Sequence, residues 1–91
     1  MKINELYATI QNRQSNPSET SYTASLFAKG MPRIAQKVGE EATEVVVAAL
    51  AQDDARLVEE IADLTYHVLV LMAARGISPQ TVEIELEKRK K

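Results

Sequence analysis

Five acidic residues occur in two segments of the chain, at spacings that would place each segment's acids on one side of a helix. Glu40, Glu41 and Glu44 belong to the first segment, and Glu60 and Asp63 belong to the second. Residues three or four positions apart are neighbours on a helix surface. Oxygen ligands select Mg²⁺, Mn²⁺ or Ca²⁺, and Mg²⁺ commonly bridges to substrate phosphates. If the two segments meet, the pattern predicts metal-assisted chemistry on a phosphate compound.

Two long helices would have to position these acids. The spacing of apolar residues predicts one helix from Pro32 to about Gln52 and another from about Asp54 to Arg75. The connection is only a residue or two long, so the helices must fold back as an antiparallel hairpin. Glu44 lies about nine residues before the turn and Asp63 about ten after it. The hairpin therefore brings four or five carboxylates to nearly the same height.

Such a cluster of acids must be compensated. Two carboxylates about 6 Å apart repel by roughly 3 kcal/mol at an effective dielectric constant of 20. Protonation, full exposure to water, nearby lysine or arginine, or a divalent cation could offset this repulsion. Glutamate-rich helix faces are usually solvated, so spacing alone leaves a metal site and a plain solvated face both open. A di-iron site is disfavoured, because its pattern needs Glu-x-x-His on two helices and the single histidine lies four residues after Asp63.

Composition excludes several other kinds of site. The chain has 91 residues, no cysteine and one histidine, which excludes disulfides, iron–sulfur clusters, cysteine-ligated zinc and sites that need two imidazoles. Tryptophan is absent, tyrosine and phenylalanine total four, and the net charge is −2, so nucleic acid is not an expected partner. The longest apolar runs have seven residues, too few to span a membrane, and the N-terminus lacks a secretory pattern. We therefore expect a cytoplasmic protein.

The remaining segments predict further helices. Apolar spacing indicates a first helix over 3–10, followed by a polar loop over 12–20. A short helix over about 23–29 would end at Gly30, and Ser78-Pro79 would begin the last helix. The sequence shows no strand signal, no internal repeat and no linker. It predicts an all-α fold, a bundle of four to five helices with a central antiparallel helix pair, in a single domain over 1–91.

The fourth predicted helix is apolar over much of its circumference. One stripe has the spacing of a bundle seam and comprises Leu57, Ile61, Leu64, Val68 and Leu71. A second stripe beside it comprises Val58, Ala62, Leu69 and Met72. A monomer of this size has too few other elements to cover both stripes. We therefore expect a homodimer or a higher even homo-oligomer.

Several strings, in order along nearly the whole chain, resemble the phosphoribosyl-ATP pyrophosphatase family of the all-α nucleotide pyrophosphohydrolases. They are Arg13, Ser21-Tyr22-Thr23, RIAQKVGEEATE over 33–44, EIADLTYHVLVLM over 60–72, and the L-x-x-R pattern over 86–89. K-V-G-E-E and A-D-L-x-Y-H distinguish this family from the broader pyrophosphohydrolases. Thr65 departs from the pattern, which usually has an aliphatic residue there. The family also occurs fused to a cyclohydrolase, and the chain length leads us to expect the monofunctional form.

The resemblance implies Mg²⁺-dependent hydrolysis of phosphoribosyl-ATP to phosphoribosyl-AMP and pyrophosphate, the second step of histidine biosynthesis, with Mn²⁺ as a substitute ion. Its expected metal ligands are Glu41, Glu44, Glu60 and Asp63. Glu40 is the candidate for positioning or deprotonating the water, and Glu41 could exchange roles with it. Lys37, one turn before Glu41, is placed to meet a phosphate oxygen. The other expected substrate-binding residues are Arg13, Ser21, Tyr22, Thr23 and Arg89.

Two expectations concern neighbouring aromatic residues. The resemblance implies that His67 orients a carboxylate, and Tyr66 is interpreted as a packing residue.

Two other functions stay open. The chain could be a house-cleaning pyrophosphohydrolase of ordinary or damaged nucleoside triphosphates, or a non-catalytic helical dimerisation module whose acids are merely solvated. A panel of nucleotides separates the first from phosphoribosyl-ATP hydrolysis, and the absence of Mg²⁺ binding would indicate the second.

Overall fold

The computed structural model describes residues 1–90, and these residues form five α-helices and no strand. The helices are α1 (Ile3–Ser15), α2 (Tyr22–Lys29), α3 (Met31–Ala51), α4 (Asp54–Ala74) and α5 (Pro79–Lys88). In this part of the chain, no helix is long and apolar enough to cross a membrane. The predicted all-α class and the central pair of long helices are confirmed.

The hairpin of α3 and α4 is the most extensive helix–helix contact in the described residues. Only Gln52 and Asp53 separate the two helices, and Gln52 is fully extended, so the chain reverses within two residues. The Asp53 side chain accepts a hydrogen bond of 2.9 Å from the backbone N–H of Arg56, which caps the first turn of α4. Ala48, only 1% exposed, lies on the packed side of α3. This hairpin fixes the relative height of the two acidic segments.

A single glycine joins α2 to α3. Gly30 has φ of +89°, a left-handed conformation that a residue with a Cβ adopts only with strain. Its N–H donates to the carbonyl oxygens of Leu26 and Phe27, which ends α2, and Pro32 lies in the first turn of α3. The predicted stop at Gly30 and restart at Pro32 are confirmed.

The first helix is longer than predicted. The sequence predicted a loop from residue 12, but α1 continues to Ser15. Its last turn is exposed, so polar side chains there do not oppose helix formation. The helix ends where Asn16 leaves the helical region, with φ of −127° and ψ of 69°. Asn16 precedes Pro17, and a residue before proline is disfavoured in the α conformation.

The core lies between α1, α2 and the side of the hairpin that these helices cover. Its largest fully buried side chains are Ile10, Leu26, Ile34 and Val70. Tyr7 contributes its ring to this cluster, and its hydroxyl donates a hydrogen bond of 2.7 Å to the carbonyl of Ile77. That bond ties α1 to the turn after α4. The short helices therefore hold one side of the hairpin and leave its other side uncovered.

The first apolar stripe of α4 is only partly covered within this chain. Ile61 is 46% exposed and Val68 is 36% exposed. The buried side of α4 instead contains His67 and Val70, together with Leu69 and Met72 of the second stripe. The first stripe is only partly covered because α1 and α2 pack against the side of α4 that contains His67. Periodicity identified apolar stripes but could not say which one the short helices would cover.

Truncating Ile34 is expected to destabilise the fold strongly. Ile34 is 1% exposed, and the Ile34→Ala variant loses apolar contacts and leaves a cavity. We expect its free energy of unfolding to fall by about 3 kcal/mol, measured by urea denaturation followed by circular dichroism. Ile84→Ala is the control, because Ile84 is 60% exposed and should lose no more than about 0.5 kcal/mol. Equal losses in both variants would contradict this description of the core.

Candidate active site

The hairpin brings together three carboxylates from its two helices. Glu41 from α3 and Glu60 and Asp63 from α4 each offer one oxygen, and these oxygens lie within 4.8 Å of one another. Glu41 and Glu60 are each 6% exposed, whereas Asp63 is exposed. We call these residues the three-carboxylate group. Two of its acids are thus withdrawn from water, unlike acids on an ordinary solvated face.

Two oxygens of the group lack any hydrogen-bond partner. Oε2 of Glu41 and Oε2 of Glu60 are buried and unpartnered. Buried polar atoms are normally paired, because an unpaired one loses its hydration without compensation. Clustered carboxylate oxygens are the donor set of Mg²⁺ or Mn²⁺. The described residues therefore fit a hard divalent cation held by Glu41, Glu60 and Asp63.

Each buried glutamate is paired on its other oxygen with a cation from its own helix. Lys37 Nζ lies 3.2 Å from Oε1 of Glu41. The Arg56 guanidinium lies 2.8 Å from Oε1 of Glu60 and also 2.7 Å from Glu59. These pairs offset part of the repulsion within the three-carboxylate group and leave one oxygen of each buried glutamate free.

Glu44 lies outside the three-carboxylate group but beside it. It borders an open cleft of about 170 Å³ with Val47, Gln52, Arg56 and Glu60. Glu44 is exposed and follows Glu41 by three residues on α3. The structure therefore brings three of the four predicted ligands together and places the fourth at the edge of the same region.

Glu40 is on the more exposed side of α3. Its Oε2 lies 3.7 Å from Arg33 and its Oε1 lies 3.7 Å from Lys37. Both oxygens of Glu40 therefore face cations. Glu40 does not belong to the three-carboxylate group in this structure.

Lys37 is held in its charged form. Burial acts to lower its pKa, but the hydrogen bond to Glu41 and the nearby Tyr22 and Glu40 outweigh burial, so the Lys37 pKa is raised above its ordinary value of 10.5. A raised lysine pKa favours folding at all pH values below 10.5, and that contribution is lost only at more alkaline pH. Lys37 therefore stays a cation at neutral pH, next to the acids.

His67 makes contacts other than those expected. Its Nδ1 donates a hydrogen bond of 2.7 Å to the backbone carbonyl of Asp63, which leaves Nε2 as the acceptor of the Tyr22 hydroxyl at 3.1 Å. No carboxylate is hydrogen-bonded to the ring in residues 1–90, so the expectation that His67 orients a carboxylate is not supported by these contacts. The buried ring connects α4 to the start of α2.

Tyr66 also has a polar contact that the packing interpretation missed. Its hydroxyl forms a short hydrogen bond with the Thr23 side chain, and its ring lies edge-on to His67 with centroids 4.8 Å apart. With the Tyr22–His67 bond, this gives α2 two polar attachments to α4. Tyr22 and Thr23, two expected substrate-binding residues, are therefore attached to His67 and Tyr66 of α4.

The contacts of Tyr66 predict that its hydroxyl ionises at a higher pH than that of an ordinary tyrosine. Burial raises the Tyr66 pKa above its ordinary value of 10.0, the Thr23 hydrogen bond lowers it, and Tyr22 raises it further, with a net increase. Because the unfolded chain releases this proton first, folding stability should fall as the pH rises above about 10. A tyrosinate absorbance titration should show an ionisation step above pH 10, and Tyr66→Phe should remove that step. Persistence of the step in Tyr66→Phe would contradict the assignment.

The other expected substrate-binding residues make hydrogen bonds within their own segments. Ser21 caps α2, where its Oγ accepts a hydrogen bond of 3.1 Å from the backbone N–H of Ala24. Arg13 is exposed and donates to Asn12, and Arg89 is exposed and pairs with Glu85. Within residues 1–90, neither arginine forms an ion pair with the three-carboxylate group.

Arg56 and Arg33 are two residues near the acids that were not predicted from the sequence as site residues. Arg56 precedes Glu60 by four residues, and Arg33 precedes Glu40 by seven. The first spacing is that of a helical ion pair and was a usable signal. The second spacing is two helical turns, and the 3.7 Å contact depends on how the long side chains extend along α3.

The chain is similar over nearly its whole length to proteins of one known family. Residues 3–90 match the family described as PRA-PH, phosphoribosyl-ATP pyrophosphohydrolase. A protein named phosphoribosyl-ATP pyrophosphatase from Sulfurisphaera tokodaii is 52% identical over 89 residues, covering 98% of this chain and 95% of the relative.

Two further relatives with the same name give similar values. The one from Lacticaseibacillus casei is 54% identical over 87 residues, covering 96% of this chain and 79% of the relative. The one from Saccharolobus solfataricus is 47% identical over 89 residues, covering 98% of this chain and 95% of the relative. The chain therefore belongs to the phosphoribosyl-ATP pyrophosphohydrolase family.

Proposed function

We propose that this chain, acting as one domain over residues 1–91, hydrolyses phosphoribosyl-ATP to phosphoribosyl-AMP and pyrophosphate in histidine biosynthesis, with Mg²⁺ as the metal. The observation that supports the metal is the pair of buried, unpartnered oxygens on Glu41 and Glu60. Family membership supports the substrate. The single histidine and the absence of cysteine leave oxygen ligands as the chemistry that the chain can offer.

The reaction breaks the anhydride between the α and β phosphoryl groups. A water oxygen bonds to phosphorus, the bridging P–O bond breaks, and the water protons pass to the products and the surrounding base. Glu41, Glu60 and Asp63 would hold the divalent ion, which when bound neutralises charge on the leaving pyrophosphate. Lys37, held in its charged form beside Glu41, would contact a phosphate oxygen.

Two carboxylates adjoin this group and complete the proposed set. Glu44 is exposed at the edge of the cleft that Glu60 also lines, and we propose it as the fourth ligand. Glu40 is proposed to position the water, or to deprotonate it. This role requires Lys37 to turn towards a phosphate, because Lys37 and Arg33 now occupy both oxygens of Glu40.

Pyrophosphate release with and without a chelator tests the proposal. The purified chain should release pyrophosphate from phosphoribosyl-ATP in the presence of Mg²⁺, and excess EDTA should abolish the release. ATP, dUTP and dCTP should be poor substrates in the same assay. Faster hydrolysis of an ordinary nucleotide would favour a house-cleaning enzyme. No release from any nucleotide, with no effect of Mg²⁺ on the melting temperature, would favour a non-catalytic module.

We also infer that two copies of the chain associate through the uncovered side of the α3–α4 hairpin. Leu50 is 83% exposed on α3, and Val58 and Ile61 are 65% and 46% exposed on α4. Apolar residues grouped on the two longest helices indicate an interface, and two such hairpins can pack as a four-helix bundle. Because Arg13 and Arg89 form no ion pair with the three-carboxylate group in one chain, we assign their contribution to substrate binding to the partner subunit.

A further inference from the structure

The two acidic segments have the same eight-residue pattern. Residues 37–44 read KVGEEATE and residues 56–63 read RLVEEIAD, so both follow the order cation, two residues, two acids, two residues, acid. This eight-residue correspondence is shorter than the internal repeats that the sequence was predicted to lack. One copy lies on each helix of the antiparallel hairpin, so the two copies lie side by side and run in opposite directions.

The contacts within the two copies also correspond. On α3, Lys37 lies 3.7 Å from Glu40 and 3.2 Å from Glu41. On α4, Arg56 lies 2.7 Å from Glu59 and 2.8 Å from Glu60. In each copy the cation therefore bridges a more exposed glutamate three residues later and a buried glutamate four residues later.

The buried glutamates of the two copies have the same hydrogen-bond and ion-pair pattern. Glu41 and Glu60 each have Oε1 paired with the cation of their own helix, and each has a buried Oε2 without a partner. A glutamate side chain has three rotatable torsions, and fixing one oxygen removes much of that freedom. The cation thus determines where the free oxygen lies.

From this correspondence we propose that Arg56 is a positioning residue of the metal site. Arg56 holds the Glu60 carboxylate so that its second oxygen stays available to a divalent cation, as Lys37 does for Glu41. The proposal rests on the proposed function for the presence of a metal site. It adds a residue outside the ligand set and assigns it an action through Glu60 rather than on the substrate.

Two opposing effects decide the sign of Arg56's influence. A guanidinium near a bound cation repels it, whereas a fixed carboxylate binds the cation without losing further side-chain freedom. Glu59 contacts the same guanidinium at 2.7 Å and offsets its charge, and the Arg56 side chain is 50% exposed, so water screens what is left. Positioning therefore outweighs repulsion. Partners that orient metal ligands typically contribute about 10- to 100-fold to metal affinity.

An ordinary surface ion pair would not behave in this way. Exposed pairs contribute little to stability and have no reason to alter metal binding. The Arg56–Glu60 pair differs because the Glu60 side chain is only 8% exposed. The Lys90–Glu87 pair, at 4.0 Å with side chains 75% and 77% exposed, is the matched exposed pair in this chain.

The test measures metal binding without nucleotide. MnCl₂ is titrated into the purified chain near neutral pH, and free Mn²⁺ is measured by electron paramagnetic resonance. Arg56→Met should weaken Mn²⁺ binding by about 10-fold. Arg56→Lys should stay within about threefold of the parent chain, because Lys37 already makes this contact at the corresponding position on α3. Lys90→Met should bind Mn²⁺ as the parent chain does.

The outcomes separate this proposal from the proposed function. Unchanged or tighter Mn²⁺ binding by Arg56→Met, in a parent chain that binds Mn²⁺, would overturn the role of Arg56 alone. A parent chain that binds no Mn²⁺ and releases no pyrophosphate would overturn the metal site itself. Circular dichroism shows whether each variant folds. If Arg56→Met does not fold, Arg56→Gln is tested in its place, and unchanged or tighter Mn²⁺ binding would again overturn the role of Arg56. The glutamine amide is a weaker hydrogen-bond donor to Glu60 than the guanidinium, so Mn²⁺ binding should still weaken.

Discussion

Replacing Asp63 by asparagine is expected to reduce pyrophosphate release from phosphoribosyl-ATP by at least about 100-fold, because a bound metal contributes several kcal/mol to stabilising transition-state charge. Asp63 lies in the three-carboxylate group and forms no ion pair in residues 1–90. The substitution keeps the shape of the side chain and removes one negative charge. It should therefore impair metal binding without disturbing the packing of α4.

The same variant should not destabilise the metal-free protein. Neutralising Asp63 relieves repulsion against Glu41 and Glu60 and breaks no ion pair, so we expect the melting temperature in EDTA to be unchanged or higher. Glu83→Gln, an isosteric change of an exposed acid on α5, should leave activity unchanged. If Asp63→Asn retained more than about a tenth of the activity, Asp63 would leave the ligand set. A loss of activity accompanied by unfolding would contradict the expected separation of function from stability.

Placing a lysine at position 61 is expected to dissociate the proposed homodimer. Ile61 is 46% exposed within one chain, so Ile61→Lys should fold normally. In a two-fold symmetric interface the substitution occurs twice, and it both removes apolar contact and buries charge. A loss of about 3 kcal/mol would raise the dimer dissociation constant more than 100-fold. Sedimentation velocity at micromolar concentration should then show mainly monomer.

Ile3→Lys provides the matched control for that substitution. Ile3 is 48% exposed, close to the exposure of Ile61, but it lies on α1, where it borders a cavity with Leu69 and Met72 from the covered side of α4. The control should sediment like the parent chain. A monomeric parent chain would contradict the dimer outright, and dissociation by Ile3→Lys but not by Ile61→Lys would move the interface to α1.

Local sequence determined much of the fold. Gly30, Pro32 and the Asp53 cap begin or end helices by local rules of backbone conformation and hydrogen bonding, and the structure agrees with those predictions. The two-residue turn could only return α4 along α3. The meeting of Glu41 with Glu60 and Asp63 followed from that turn, because Glu41 and Asp63 lie at similar distances from it and Glu60 is one helical turn from Asp63. These features depend on residues close together in the chain, so sequence alone was sufficient.

Tertiary packing decided the features that depend on distant residues. It placed α1 and α2 over the His67 side of α4 and left the side with Ile61 uncovered, a choice between two apolar stripes that periodicity cannot make. It directed His67 towards Tyr22 and a backbone carbonyl, because the start of α2 arrives next to that ring. It also withdrew Glu41 and Glu60 from water while leaving Glu40 and Glu44 exposed. Spacing predicted which acids share a helix face. It could not predict their burial, because burial depends on what the rest of the chain packs against that face. Burial in turn decides which carboxylate oxygens lack a hydrogen-bond partner.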